Sequence, residues 1–427
     1  MSLPRLLAGA GAEPMGLERH LRVHGPLPVA RPAELMAELE RSGLLGRGGA
    51  AFPLAAKLRA VMAASGRRAP VVVVNLAEGE PMSFKDRTLA QLVPHLVLDG
   101  ALCAATLTGA PDVILAVERH ATAAIESLRA ALAQRTDVGR RGPEVRIAAV
   151  GPGYLAGQET ALVNQLSNGD PRPTTQPPRV AQRGVARRPT LVSNPETLAH
   201  AALIARHGAG WFRELGGREE PGSALVTLSG CVSAPGVYEI ELGSHLTALL
   251  EAAGGLSQTP RAFLLGGYAG TWADAAAARG LRLSRRGLEP VRAMLGAGVI
   301  VALGADACPV AEVARVGAWM ADESAGQCGP CVNGLEAIAG ALAEICTGGA
   351  HRGVFSDLRR WAELVTGRGA CAHPDGVAQF VSSALRVFAA EFDDHARHGA
   401  CEACERPPAL AIPASWGSAP AIAEMIR

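Results

Sequence analysis

Short apolar runs alternate with amphipathic stretches through the first half of the chain. Val71-Val72-Val73-Val74-Asn75 is a continuous β-branched run, as expected of a strand buried on both faces. Residues 113–117 and 144–150 read as two further strands. Helical patterns fall at 32–41, 54–64, 89–108 and 120–133. Strands alternating with helices predict an α/β, doubly wound parallel core. Residues 167–190 are dense in Pro, Arg, Thr and Gln and read as a long surface loop, before a helix over 195–206.

The pattern changes after residue 222. Residues 224–229 and 237–242 alternate as strands around the turn Ala234-Pro235-Gly236, and 245–253 reads as a helix ending at Gly254-Gly255. A small β-grasp-like module fits, with 299–303 as its last strand or a return to the first sheet. Beyond 311 the pattern is helical. Leu335, Ile338, Ala339, Leu342 and Ile345 share one helix face, and Phe380, Leu385, Val387, Phe388 and Phe392 fit another amphipathic helix. The expected divisions are a lead-in (1–42), an α/β domain (43–221), a β-grasp-like domain with its return strand (222–310), a helical bundle (311–400) and a tail (401–427).

At 427 residues, with 48% hydrophobic and 19% charged residues, the chain is long enough for several cores without disulfide staples. The formal net charge is +1, so nothing draws it to nucleic acid. No uncharged apolar run approaches the roughly 18 residues of a membrane helix, and the N-terminus lacks a convincing signal peptide. A cytoplasmic protein is expected. Nine cysteines argue against a disulfide framework and for metal ligation or buried thiols.

Three glycine-rich turns follow or precede regular elements. Gly46-Arg47-Gly48-Gly49 opens a helix, a place where backbone N–H groups cradle a phosphate, with Arg47 and Lys57 adding charge. The chain has lysine only at 57 and 85, which suggests sites that need a compact ammonium. Asn75-Leu76-Ala77-Glu78-Gly79-Glu80-Pro81 leaves the first strand at its carboxyl end, where α/β sheets bind ligands. Glu78 and Glu80 could accept hydrogen bonds from ribityl or ribose hydroxyls or a flavin N–H; a solvated acidic turn is the plain alternative. Gly151-Pro152-Gly153 through Thr160 leaves the third strand in the same way.

The cysteines are the sharpest feature. Cys328-Gly329-Pro330-Cys331 sits at the mouth of a helix whose dipole stabilises thiolates, and Cys371 follows after another helix. An iron–sulfur cluster fits best. A four-cysteine zinc site shared with Cys401 and Cys404, or inert or redox thiols, are the alternatives. Cys103, Cys231, Cys308 and Cys346 read as buried core thiols.

The blocks SGLLGRGGAAFPLAAK, NLAEGEPMSFKDR, GPGYLAGQETAL, PTLVSNPETL, LSGCVSAPGVYE and ESAGQCGPC, followed by Cys371, stand in an order that resembles the NADH-binding flavoprotein (F-type) subunit of respiratory complex I and its relatives in soluble hydrogenases and formate dehydrogenases. The resemblance spans about residues 15–397. It implies a Rossmann-like FMN domain, a β-grasp (SLBB) domain and a helical bundle holding a 4Fe-4S cluster. By motif, Gly46, Arg47, Gly48 and Lys57 would hold FMN phosphate and ribityl. Asn75, Glu78, Gly157, Glu159, Asn194 and Thr197 would surround the flavin, with Phe52 and Glu80 near the dinucleotide. Cys328, Cys331 and Cys371 would ligate the cluster.

The departures are specific. Ala77 replaces an aspartate, Gln158 a glutamate, and Ala325 the first cluster cysteine. The K-P-P-F stretch that helps clamp NADH is Gln176-Pro177-Pro178-Arg179, and an aromatic beyond Lys57 is missing. A stacked ring is worth on the order of 1 kcal/mol, so a weakened NAD(H) site is expected beside a retained FMN site. For the fourth cluster ligand, Cys401 or Cys404 could fold back, His373 is a further candidate, and a three-iron cluster would need none.

The expected function is electron transfer by an oxidoreductase subunit that serves a redox partner subunit or ferredoxin-like protein, with the donor either NAD(P)H or that partner. Docking on a membrane complex without a span of its own fits the resemblance. A cofactor-depleted docking or assembly subunit and a zinc-stabilised SLBB ligand-binding protein are the alternatives.

Overall fold

The computed structural model describes residues 3–28, 31–66, 68–135 and 142–413. Strands β1 (Val71–Leu76), β2 (Asp112–Glu118), β3 (Glu144–Val150) and β4 (Thr190–Ser193) form a parallel sheet in the order β3-β2-β1-β4. Val71–Val74 are fully buried because helices cover both faces of β1. β4 is the strand of this sheet that sequence reasoning missed, as Pro260–Leu265 and Thr271–Asp274 are of the second. Four residues between a loop and the helix Pro195–Phe212 carry too little periodicity to register.

The single helix expected over 89–108 is two, Lys85–Leu92 and Pro94–Thr108, bent by 99°. Pro94 supplies no N–H to the first helix and starts the second at its first turn. Gly100 lets the second helix touch Pro195–Phe212, since a Cβ there would lie 2.3 Å from the Leu198 carbonyl. Buried within that helix, Asp99 takes His20 Nε2 at 2.7 Å, Arg135 at 2.8 Å and the Arg206 guanidinium. Burial alone would raise its pKa, but His20 and the two arginines outweigh it and hold the carboxylate ionised.

The second sheet comprises β5 (Ser223–Gly230), β6 (Gly236–Glu241), β7 (Pro260–Leu265), β8 (Thr271–Asp274) and β9 (Val299–Gly304), in the order β6-β5-β9-β7-β8. β9 runs parallel to β5 and antiparallel to β7, so 299–303 closes this sheet and does not return to the first. The period of two is strict. Phe263, Leu265, Ile300 and Ala302 face the sheet's own helix Leu246–Ala252, while Ala262, Leu264, Val299, Val301 and Leu303 face the bundle. Trp272 of β8 docks the bundle: its ring centroid lies 5.9 Å from Phe380 and 5.2 Å from Phe388.

The bundle holds helices Pro309–Asp322, Glu336–Thr347, Val354–Val365, His373–Val387 and Ala389–His398. A wider helical turn, Pro330–Leu335, leads directly into Glu336–Thr347. The helix expected through Phe380 and Phe392 breaks at Phe388, where φ is −110° and ψ 31°. Residues 401–413 lie against this bundle, with Leu410 fully buried; the remainder of the expected tail lies outside the described residues. Among the described residues no single helix is long and apolar enough to cross a membrane.

Candidate functional site: one cavity beside three thiols

The carboxyl ends of β1, β3 and β4 open on a cavity of about 510 Å³. All twelve residues expected around a flavin or dinucleotide line it: Gly46, Arg47, Gly48, Phe52, Lys57, Asn75, Glu78, Glu80, Gly157, Glu159, Asn194 and Thr197. The loops are locked to one another. Asn75 Nδ2 donates to the Gly157 carbonyl at 2.8 Å, and a Cβ at position 157 would lie 2.3 Å from the Ala77 carbonyl oxygen. The Thr197 hydroxyl accepts the Arg47 amide at 2.8 Å. Gln158 caps the helix Glu159–Asn168, accepting from the amides of Thr160 and Ala161.

Two expected ligand groups are occupied by the protein itself. The buried Arg47 guanidinium donates to the carbonyls of Pro221, Ser223 and Leu45, at 3.2, 3.1 and 3.3 Å. It ties the glycine turn to the second sheet. Both Glu78 oxygens serve the start of helix Lys85–Leu92: Oε1 accepts from Ser83 and the Asp86 amide, Oε2 from the Arg87 amide and side chain. Burial works against ionisation of Glu78, yet Arg87 and Lys85 hold its pKa below the ordinary carboxylate value. The Arg47 contacts to Pro221 and Ser223 are tertiary, whereas the Glu78 partners stand five to nine residues on, within the same loop and helix start.

Other charges remain at the wall. Lys57 Nζ donates to Glu159 at 2.9 Å and to the Val192 carbonyl at 3.1 Å, and both side chains are about one third exposed. Lys85 is buried among Asp86 at 2.7 Å and Glu196 at 3.0 Å. Burial would lower its pKa, but Asp86, Glu196 and Glu78 push it up. Glu80 is different: burial raises its pKa to about 7, although it accepts from the Tyr268 amide at 2.8 Å. Phe52 stands 45% exposed at the cavity, a free aromatic face.

The cavity wall also includes Ala372 and His373, directly after Cys371. The sequence suggests His373 only as a cluster ligand. Its Nε2–H donates to the Met320 carbonyl at 2.8 Å, which leaves Nδ1 as a buried acceptor without a partner among the described residues. Burial keeps the ring neutral by lowering its pKa. Tyr154 packs on it with ring centroids 5.5 Å apart. Sequence reasoning also passes over Asp86 and Glu196, although both stand inside the quoted blocks.

Cys328, Cys331 and Cys371 gather at the mouth of the helical run that starts at Pro330. Burial raises the pKa of Cys331 to about 12, and Cys328 and Cys371 add to that rise. Burial also raises Cys371, and Cys328 again contributes. Ala325 stands on the loop before them and offers no ligand atom. Cys401 and Cys404 do not complete this set. They lie with Cys308 and beside Cys346, at the opposite end of the same helical run. Cys331 and Cys346 are thereby roughly 20 Å apart along the helix axis.

The residues present fit the two groups this arrangement suggests. The cavity has a volume typical of cofactor sites, a lysine at its rim, an unpartnered buried acceptor and an exposed ring. Three neighbouring thiols beside it, Cys331 buried and Cys328 and Cys371 half-buried, suit iron. A parallel sheet with such a cavity, an SLBB-type sheet and a thiol-bearing bundle define a flavin and iron–sulfur electron-transfer protein.

Family comparisons agree in all three parts. Residues 39–202 match the Nuo51 FMN-binding domain, 225–267 the SLBB domain, and 311–395 the NADH-ubiquinone oxidoreductase-F iron-sulfur binding region. An NADH-quinone oxidoreductase F-type subunit of Rhizobium meliloti (strain 1021) is 31% identical, over 87% of this chain and 90% of its own. Its counterpart in Streptomyces coelicolor is 30% identical, over 87% of this chain and 84% of its own. An NAD+-reducing NiFe hydrogenase superposes with a TM-score of 0.80 and 29% identity, covering 86% of this chain; the chain spans 63% of that hydrogenase chain. The chain belongs to the family of NADH-quinone oxidoreductase F-type subunits. It is an NADH dehydrogenase-like oxidoreductase subunit that transfers electrons through FMN and an iron–sulfur cluster to a partner subunit.

Proposed function

We propose that the cavity takes FMN and a nicotinamide dinucleotide side by side, and that Cys328, Cys331 and Cys371 hold the cluster. The observation that carries this reading is continuity: the cavity wall passes through Ala372 and His373 directly into the ligand Cys371. When bound, FMN exchanges a pair of electrons with the dinucleotide and single electrons with the cluster.

The chain's own groups do the holding. The glycine turn 46–49, with Lys57, takes the phosphate end; freeing Lys57 requires parting it from Glu159. Asn75, Gly157, Asn194 and Thr197 fix the loops that shape the flavin wall. Glu78 and Arg47 act by holding helix Lys85–Leu92 and the glycine turn in place. Phe52 offers its exposed face to an aromatic ring of the dinucleotide. Glu80, poised near neutrality, can hold or release a proton at its carboxylate beside that ring.

The donor is NAD(H), bound weakly. The segment Gln176-Pro177-Pro178-Arg179 is exposed and does not line the cavity, which leaves Phe52 as the exposed ring on the cavity wall. The acceptor is an iron–sulfur partner subunit or ferredoxin-like protein, which in the cell stands on a larger complex. The free cysteines among the described residues support a reducing, cytoplasmic setting.

Anaerobic stopped-flow absorbance tests the donor. NADH should bleach the flavin with saturation at high concentration, and NADPH should do so less efficiently. Flavin-loaded protein that neither nucleotide reduces would overturn the donor assignment.

A further inference from the structure

A second constellation lies outside the flavin–cluster axis. Cys308, His395, Cys401 and Cys404 come from three separate stretches of chain, yet their ligand atoms all lie within 4.8 Å of one another. Cys308 Sγ is 3.4 Å from His395 Nε2 and 3.5 Å from Cys404 Sγ, and Cys404 Sγ is 3.8 Å from Cys401 Sγ. Cys308 and His395 are buried, and the cysteine pair closes the site from outside.

We propose that these four side chains form a tetrahedral site for one structural zinc ion. Bond lengths of about 2.3 Å to sulfur and about 2.0 Å to nitrogen set tetrahedron edges of about 3.8 Å between sulfurs and about 3.5 Å between sulfur and nitrogen. The three measured contacts fall at or close to those lengths. A four-iron cluster would hold each thiolate on a different iron and so spread the sulfurs further. Three thiolates with one imidazole are a zinc donor set, and no open position is left for substrate.

The surroundings support an anionic sulfur set. The Ala311 amide donates to Cys308 Sγ at 3.4 Å, at the start of helix Pro309–Asp322. The amides of Ala403 and Cys404 point at the Cys401 sulfur, as in a Cys-x-x-Cys knuckle. Cys346 stands beside Cys404 and is left outside the ligand set.

The ion's place explains its use. Cys401 and Cys404 begin the segment that runs to residue 413 across the bundle. Beyond them, the amides of Ala409 and Leu410 donate to Glu312 at 2.8 and 3.1 Å, and the Tyr268 hydroxyl donates to the Ala411 carbonyl at 2.6 Å. The Tyr268 amide in turn holds Glu80 at the cavity wall. The zinc is a clasp that fixes this strap over the junction of the second sheet and the bundle.

The test uses the full chain, purified anaerobically, with metals counted per chain and zinc-edge X-ray absorption of the wild type. One zinc per chain with three sulfurs and one nitrogen is expected. Cys404→Ser should lose that zinc while keeping its flavin and iron, and Cys346→Ser should keep it. Hydrogen exchange of residues 405–413 should accelerate at least tenfold in Cys404→Ser with the bundle helices unchanged. Should Cys404→Ser fail to fold, removal of zinc from the wild type by a chelator must produce the same acceleration. Folded wild type that takes up no zinc when supplied with it overturns the proposal. So does iron at this site, a Cys401–Cys404 disulfide in the anaerobic protein, or full zinc retention in Cys404→Ser.

Discussion

The bundle carries two sulfur sites, one at each end of the helical run Pro330–Thr347, and they differ in closure. At the end nearer the cavity stand three thiols, with Ala325 where the family motif carries a fourth cysteine. At the other end, four ligand atoms already stand within 4.8 Å of one another. The first site is incomplete in thiolates and adjoins the redox cavity through Ala372 and His373. The second is saturated and adjoins the strap. Position in the fold thus separates a site that must communicate from one that must only hold.

The sharpest way to break this comparison is Cys371→Ala. Iron should fall by more than half, because two remaining thiolates cannot hold a cluster, while flavin and any metal bound at the second site stay. Metal analysis with flavin absorbance checks it. Equal losses at both ends would mean that the two sites are one cooperative unit.

Asp99→Ala comes next in size. Breaking a buried ion network by removing one partner costs about 3–5 kcal/mol, so the urea midpoint should fall strongly. Because the folded-state pKa of Asp99 is depressed, its stabilisation is present above the unfolded carboxylate pKa and is lost as pH falls through the folded value. A wild-type urea midpoint that does not decline in acid would contradict the assignment.

Gly157→Ala then tests the cavity side alone. The added methyl would meet the Ala77 carbonyl, and relieving such overpacking costs about 1–3 kcal/mol. Flavin affinity should drop by about tenfold, read by fluorescence titration, with iron content unchanged.

These predictions rest unequally on the sequence. The glycine turns, the acidic loop and Cys328-x-x-Cys331 are legible because each is a contiguous motif fixed to the end of one element. Eight of the twelve cavity residues lie in those turns and that loop, Lys57 stands out by the scarcity of lysine, and Phe52, Asn194 and Thr197 come from the family resemblance alone. Val71–Val74 is legible because a doubly buried strand needs no partner to look apolar. The missed β4 and β8 are four residues each, too short to show a period, and the missed β7 opens on Pro260 and Arg261, leaving only four apolar residues, 262–265, to mark it. The break at Pro94 is readable but is masked by the apolar run on either side. Cys308 reads as a core thiol because its partners are His395, 87 residues on, and Cys404, 96 residues on. No local pattern marks such a meeting. The contacts that engage Arg47 are hidden for the same reason, 174 and 176 residues on, whereas those of Glu78 lie within its own loop and the helix start that follows.

Ala325→Cys sharpens the comparison in the other direction. Restoring the fourth thiol should leave iron content near the wild-type level or higher and shift the reduced cluster's electron paramagnetic resonance spectrum. An unchanged spectrum would mean that residue 325 does not face the cluster.

The smallest effect concerns protons. Glu80 is buried with its pKa raised to about 7, so it is protonated in acid and ionised in alkali. Between about 4.5 and 7 the folded state binds the extra proton, so this group's contribution favours folding less as pH rises. Flavin reduction should show an inflection near pH 7 that Glu80→Gln removes, with a change of only a few-fold at the optimum. Persistence of the inflection in Glu80→Gln would assign it elsewhere.

The central claim is electronic contact between the cavity and the three thiols. Rapid freezing after anaerobic mixing with NADH, read by electron paramagnetic resonance, addresses it directly. Wild type should develop a reduced-cluster signal as its flavin bleaches, and Cys371→Ala should bleach without that signal. A full cluster signal in Cys371→Ala, or bleached wild type whose cluster stays oxidised, would contradict it.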